Sequence, residues 1–276
     1  MLEAQGNRET DRHGAGDGER PVIGIVITQE PDREIQRLAC NYLHSVLDAG
    51  GAPLMIPITA EPDVTERLLG FVDGVLMTGG QDIVPATYGE GARLDPAVAK
   101  TVVSTPVRDD VEKTVLDFAC ARDLPCAGVC RGMQMMNAFF GGTLYQDLDL
   151  QFIGHDARTE AGGRPIEHRQ PLEAGGERVH GVEIEPGTRL ARIFGAGELR
   201  VNSLHHQGVH RLGEGLVACG ISEDGLVEGI EHPGFRHLVG VQWHPEYFGR
   251  AGQPMHAYFT ALVDAARETR GSARRI

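Results

Sequence analysis

Pro125-Cys126-Ala127-Gly128-Val129-Cys130-Arg131-Gly132-Met133-Gln134-Met135-Met136-Asn137-Ala138-Phe139-Phe140-Gly141-Gly142 reads in two halves. Pro125 to Val129 is a short apolar run, the pattern of a buried strand. Met133, Met136, Asn137 and Phe140 then return at helical spacing. Between them lies Gly128-Val129-Cys130-Arg131-Gly132, the cysteine form of a nucleophile elbow, in which a strand turns sharply into a helix. The turn forces its central residue into a strained conformation. Glycines on either side remove the Cβ atoms that would collide where helix and strand approach. A sulfur there sits at a helix N-terminus, where free N–H groups and the macrodipole favour an anion. The Arg131 N–H points where an oxyanion would form. The alternative for Cys130 is a buried structural cysteine packed by glycines, and the rest of the chain must decide.

Working outward, the chain alternates strands and helices. Pro21–Thr28 reads as a strand, Asp32–Ala49 as a helix ended by Gly50-Gly51, and Pro53–Ile58 as a second strand. A helix over Val64–Phe71 and a strand over Gly74–Met77 follow, then a helix over Arg108–Arg122 leading to the elbow. Such alternation implies a parallel sheet with helices on both faces, and Cys130 at the carboxyl end of a central strand, where open α/β sheets place their ligands. The second half changes character. Val179–Ile184, Leu199–Val201, Leu216–Ile221, Leu226–Glu231 and Leu238–Gln242 read as short strands, an antiparallel extension of the same sheet. A short helix is expected at Arg189–Phe194 and a C-terminal one at Met255–Ala266. The expected organisation is a polar tail over 1–20, one catalytic domain over 21–268, and a frayed tail over 269–276. Residues 151–176 read as a loop over the site.

At 276 residues and 41% hydrophobic, the chain suits one large domain. Its net charge of −13 argues against nucleic acid or an anionic membrane as the main partner. No apolar run approaches the ~18 residues of a membrane span, and Met1–Arg20 lacks the apolar region of a signal peptide. Five cysteines, an odd number with no disulfide framework, point to reduced thiols and a cytoplasmic location.

Two further motifs could complete a site. Val241-Gln242-Trp243-His244-Pro245-Glu246 lies just beyond the last strand. A thiolate nucleophile needs an imidazole to move its proton, and the imidazole needs an acceptor to fix its tautomer. His244 and Glu246 project from one side of an extended chain and can fill these roles. Thr78-Gly79-Gly80-Gln81-Asp82 ends a strand, and a backbone N–H there could be a second oxyanion donor. Asn202-Ser203-Leu204-His205-His206-Gln207, with His210, has weak metal-ligand spacing and few carboxylates. A substrate-lining loop is expected there, and no metal.

These stretches, with Pro85, Tyr88-Gly89, Arg108-Asp109, Glu112 and Gly141-Gly142-Thr143-Leu144-Tyr145-Gln146-Asp147, run in the order found in class I glutamine amidotransferase-like hydrolases of the peptidase C26 type. The chain most resembles the γ-glutamyl-γ-aminobutyrate hydrolase family, over roughly residues 21 to 266. The resemblance implies a flavodoxin-like α/β fold and a γ-glutamyl amidase active in amine or polyamine catabolism. Cys130 would be the nucleophile, His244 the general base and acid, and Glu246 its orienting carboxylate. Gly80 and Arg131 would form the oxyanion hole, and Gly79, Gln134, His205 and His206 would bind substrate. No metal or organic cofactor is implied, the partner is a small γ-glutamyl amide, and a homodimer is left open. A glutaminase subunit feeding ammonia to a separate synthase is the competing reading, and a non-catalytic γ-glutamyl binding protein a third. The initial tail and residues 91–104 depart from the pattern and leave the amine leaving group unnamed.

Overall fold

A computed structural model describes residues 20–30, 34–89, 96–152 and 166–273. The strands are β1 (Val22–Val26), β2 (Thr28–Gln29), β3 (Gln36–Arg37), β4 (Ala52–Ile56), β5 (Gly74–Met77), β6 (Cys126–Val129), β7 (Thr143–Tyr145), β8 (His180–Ile184), β9 (Gly197–Val201), β10 (Gly208–Arg211), β11 (Val217–Ser222), β12 (Val227–Glu231) and β13 (Leu238–Val241). The helices are α1 (Cys40–Asp48), α2 (Pro62–Leu69), α3 (Pro106–Arg122), α4 (Arg131–Phe139), α5 (Leu148–Gln151), α6 (Arg189–Phe194) and α7 (His256–Ala273).

One sheet organises the molecule, in the order β4-β1-β5-β6-β13-β12-β11-β8-β9. The first five strands are parallel. Counted along the chain they lie second, first, third, fourth, fifth, the flavodoxin-like doubly wound order. From β12 onward the pairing is antiparallel, and β10 branches from β12 to β7. The expected mixed sheet is therefore present, with one change. Leu238–Gln242 was grouped with the antiparallel strands, yet β13 runs parallel to β6 and meets antiparallel β12 only on its other edge. Its register, Val239 beside Ala127 and Val241 beside Val129, carries His244 to the same end of the sheet as Cys130.

Strand side chains alternate between two cores. Val75, Met77 and Cys126 face Val111, Val115, Leu116 and Met133 on the α3 and α4 side. Leu76, Ala127, Val129, Val239 and Val241 face Tyr258, Phe259 and Leu262 of α7 on the other. Parallel strands covered on both faces read as unbroken apolar runs, which is why β1, β5 and β6 were legible.

The helix expected over Asp32–Ala49 begins only at Cys40. Residues 31–33 lie outside the described ones, and Gln36-Arg37 instead form a short hairpin with Thr28-Gln29. Gln36 fixes this extended segment, since its amide donates to Ile58 O at 2.6 Å and accepts from Ile58 N at 2.9 Å. Ile35, placed on the helical stripe, is exposed. At the other end α7 passes Ala266 and runs to Ala273, so the tail expected from 269 is helical that far. Residues 1–19, most of the initial tail, lie outside the described ones, as do 153–165 of the loop expected over the site. Among the described residues no helix is long and apolar enough to cross a membrane.

Candidate active site

Cys130 follows β6 and caps α4 with φ 50° and ψ −105°, one of two non-glycine residues with positive φ among those described. This is the strain expected of an elbow. Its N–H donates to Val241 O at 2.7 Å and its carbonyl accepts from Gln134 N at 3.1 Å, so the turn is tied to β13 and to its own helix. A Cβ on Gly128 would lie 2.8 Å from the Gly132 carbonyl carbon, and one on Gly132 would overlap the Met77 carbonyl. The glycines are thus required by backbone contact.

His244 leaves β13 and enters a short 3₁₀ turn, Pro245–Phe248. Its Nδ1 lies 2.7 Å from Glu246 Oε1. Asn202 fixes its backbone from both sides: the Asn202 amide accepts from His244 N at 2.9 Å and donates to His244 O at 3.2 Å. Burial disfavours charge on the imidazole. The Glu246 carboxylate and Cys130 outweigh it and hold the pKa well above the ordinary histidine value. The three side chains meet in a cavity of about 560 Å³, also lined by Arg37, Tyr42, Gly79, Gly80, Leu172, Leu204 and Tyr247.

The strand-end loop bearing Gly79 and Gly80 rests on a buried four-charge network. Arg108 donates to Thr78 O at 2.8 Å and Gly79 O at 3.1 Å, and to Glu112 at 2.9 Å. The Arg131 side chain reaches Glu112 and Asp109. Asp109 in turn accepts from Val84 N and Thr87 Oγ1. Two guanidiniums and two carboxylates balance where neither pair could be buried alone. Even so, burial lowers the Arg108 pKa to about 10. A Cβ on Gly80 would overlap Arg108 Nη1, and one on Gly79 would lie 2.7 Å from His244 Cε1. Arg131 opens α4, where backbone N–H groups have no intrahelical acceptor. One network therefore holds both segments expected to supply oxyanion donors.

Tyr42 was not singled out from the sequence. Its hydroxyl accepts from Gly79 N at 3.0 Å and lies beside Glu246. Burial, then the Glu246 charge, raises its pKa well above the ordinary tyrosine value, so it keeps its proton.

The other expected substrate residues separate. Gly79 lines the cavity, while Gln134, His205 and His206 do not. Gln134 is buried, donating to Gln207 O at 3.0 Å and Gln242 Oε1 at 3.1 Å. His206 bridges Asp82 at 2.9 Å and Asp147 at 3.3 Å. His205 turns inward toward Glu228. In the Asn202–Gln207 segment it is Leu204 that faces the cavity and Asn202 that serves the site, through the His244 backbone. Alternation along an extended chain sends these neighbours in different directions. Of the loop expected over the site, Leu172 reaches the cavity wall.

Fold and site together define a hydrolase of the class I glutamine amidotransferase-like kind. The chain belongs to the peptidase C26 family, whose model matches residues 21–246. It is 31% identical over 236 residues to the γ-glutamyl-γ-aminobutyrate hydrolase PuuD of Escherichia coli, covering 82% of this chain and 86% of that one. A Rickettsia prowazekii protein provisionally named as glutamine amidotransferase-like is 32% identical over 289 residues, covering 90% of this chain and 99% of the relative. A solved Thermoplasma acidophilum protein, provisionally assigned as one of the subunits of GMP synthase, superposes with a TM-score of 0.58 at 16% identity, covering 92% of this chain and 99% of that one, a likeness of fold.

Proposed function

We propose that the chain hydrolyses the γ-glutamyl amide bond of a γ-glutamyl amine, such as γ-glutamyl-γ-aminobutyrate, to glutamate and free amine. The observation that carries this is the convergence of Cys130 at a strained elbow with the His244–Glu246 pair, 2.7 Å apart, on one cavity. The Cys130 thiolate attacks the γ-carbonyl carbon, and the oxyanion takes hydrogen bonds from the Gly80 and Arg131 N–H groups. The C–N bond breaks as His244 protonates the departing amine, leaving a γ-glutamyl thioester on Cys130. Water, deprotonated by His244, attacks the thioester and glutamate leaves, restoring the thiol. Each oxyanion donor is worth about 10²–10³ in rate. Arg37 lines the cavity, paired with Glu30 at 2.9 Å, and its exposed guanidinium has further donors for a carboxylate-bearing leaving group.

The test is glutamate release by the chain alone from γ-glutamyl-γ-aminobutyrate, glutamine and several γ-glutamyl amines. Release from one of these is expected, with Cys130→Ala losing roughly 10⁴-fold or more. Arg37→Ala is expected to raise KM for the substrate with an acidic leaving group and to leave KM for glutamine unchanged. Release from glutamine alone, stimulated by a synthase, would favour the ammonia-supplying subunit instead.

A further inference from the structure

Behind Leu204, in the antiparallel part of the sheet, three histidines surround one carboxylate. His168, His180, His205 and Glu228 are all 6% exposed or less. His168 Nδ1, His180 Nε2 and His205 Nε2 lie 3.4, 3.7 and 3.5 Å from the same atom, Glu228 Oε1. Each ring is fixed from outside by an acceptor. His168 Nε2 meets Asp224 Oδ2 at 2.9 Å, His180 Nδ1 meets Gly181 O at 3.2 Å, and His205 Nδ1 meets Gln207 O at 2.9 Å. A carboxylate or carbonyl can only accept, so each outer nitrogen carries a ring proton, and in the neutral ring the inner nitrogen presents its lone pair toward Glu228. Three inner ring nitrogens thus face one carboxylate oxygen.

Few hydrogen bonds satisfy them. Ser203 Oγ lies 3.1 Å from both His168 Nδ1 and His205 Nε2, but has one proton to give. Among the described residues His180 Nε2 and both Glu228 oxygens have no hydrogen-bond partner. Buried acceptors left this way are costly, and more so when charged. The spacing suggests what closes the cluster. Ligands held 2.0–2.2 Å from a tetrahedral metal stand roughly 3.3–3.6 Å apart, close to the separations from Glu228 Oε1. The donor atoms of His168, His180 and Glu228 all lie within 4.8 Å of one another.

We propose that this cluster is a structural site for one divalent transition metal of the zinc class. The ligands are His168 Nδ1, His180 Nε2 and Glu228 Oε1, with water as the fourth, while His205 Nε2 packs beside them, held by Ser203 Oγ at 3.1 Å. Nitrogen and oxygen donors without thiolate suit zinc. The outer acceptors do what second-shell partners of metal-bound histidines do, fixing tautomer and ring orientation. The site is separate from Cys130, His244 and Glu246, and does not depend on the hydrolase reading. Its ligands come from three places: the segment before β8 that carries Leu172 to the cavity wall, the start of β8, and the start of β12. A metal there staples the cavity wall to the sheet.

The test uses the full chain, stripped with a strong chelator, dialysed, and returned to Zn²⁺ or Co²⁺. Elemental analysis should find about one tightly held metal per chain. The thermal midpoint should fall on chelation and recover with Zn²⁺. Cys130→Ala should keep its metal, excluding the catalytic thiol as binder, while His180→Ala and Glu228→Gln should lose it. Should those two variants fail to fold, the Co²⁺ spectrum of Cys130→Ala decides. Intense visible bands without thiolate charge transfer support the site, and their absence overturns it. A folded chain that binds under a tenth of an equivalent, whose midpoint ignores the chelator, would also overturn it, as would a His180→Ala variant that binds like the parent.

Discussion

At the residue scale the proposed chemistry depends on three side chains whose positions are set by others. Glu246 holds His244 Nδ1 at 2.7 Å, which leaves Nε2 for Cys130, and Asn202 holds the His244 backbone in turn. Glu246→Gln keeps the shape but removes the charge that sustains His244 as an imidazolium. A fall in kcat of about 10²–10⁴ is expected with little change in KM, the result of a misassigned tautomer. The pH profile should change as well. With the carboxylate gone, the imidazolium loses its proton at lower pH, and the alkaline limb of kcat should move to lower pH. Steady-state kinetics across pH checks both, and an unmoved alkaline limb would show that Glu246 has no such part. Cys130, Gly80, Arg131, His244 and Glu246 were nominated from the sequence because each sits in a short motif whose local geometry needs those residue types. Tyr42 was not, because its role is set by a contact with Gly79 from a distant part of the chain.

At the scale of elements, the Gly79-Gly80 loop and the α4 N-terminus are two ends of one device. Arg108 and Glu112 of α3 join them through Arg131, all three buried. Glu112→Gln removes one of two carboxylates facing two guanidiniums. Breaking a buried pair in this way costs about 3–5 kcal/mol. Chemical denaturation should show the loss, and the surviving folded enzyme should also lose kcat, because both segments proposed to supply oxyanion donors lose their common support. Destabilisation with full kcat per folded molecule would mean the network serves the fold alone. The helical pattern of α3 was readable, and its charged residues were noted only as part of a resemblance. Periodicity reports which face is buried, and a helix whose Arg and Glu are buried beside its Val and Leu breaks that rule. The late start of α1 has a similar origin. Ile35 and Leu38 continue the apolar spacing, but the hydrogen bonds of Gln36 to Ile58 win the segment for extended chain.

Across the whole molecule, the parallel strands β6 and β13 lead to Cys130 and His244, the proposed nucleophile and base, and the antiparallel extension supplies Asn202, which ties the His244 backbone, and Leu204 of the cavity wall. The alternation of strands and helices made the first half readable. The extension was readable as strands, but not in its pairing, since β13 crosses back to lie parallel beside β6. The histidines of the second half were read by sequence spacing, which could not show that His168, His180 and Glu228 converge from separate segments. His206 links the halves, between Asp82 after β5 and Asp147 after β7. Its hydrogen bond to Asp82 outweighs burial and raises its pKa. A raised folded-state pKa gives stability that is full below the unfolded value, about 6.5, and is lost as pH rises through the folded value. The difference in unfolding midpoint between the parent and His206→Gln should therefore be largest in mild acid and close as the solution becomes alkaline. A gap that does not vary with pH would contradict a charged bridge. The central claim, a thioester on Cys130, is tested most directly by acid-quenching the chain during turnover of a γ-glutamyl amide and mapping the modified peptide by mass spectrometry. The account predicts one γ-glutamyl group on Cys130, absent from Cys130→Ser turned over and quenched in the same way. Steady glutamate release with Cys130 unmodified, undiminished in Cys130→Ser, would contradict it.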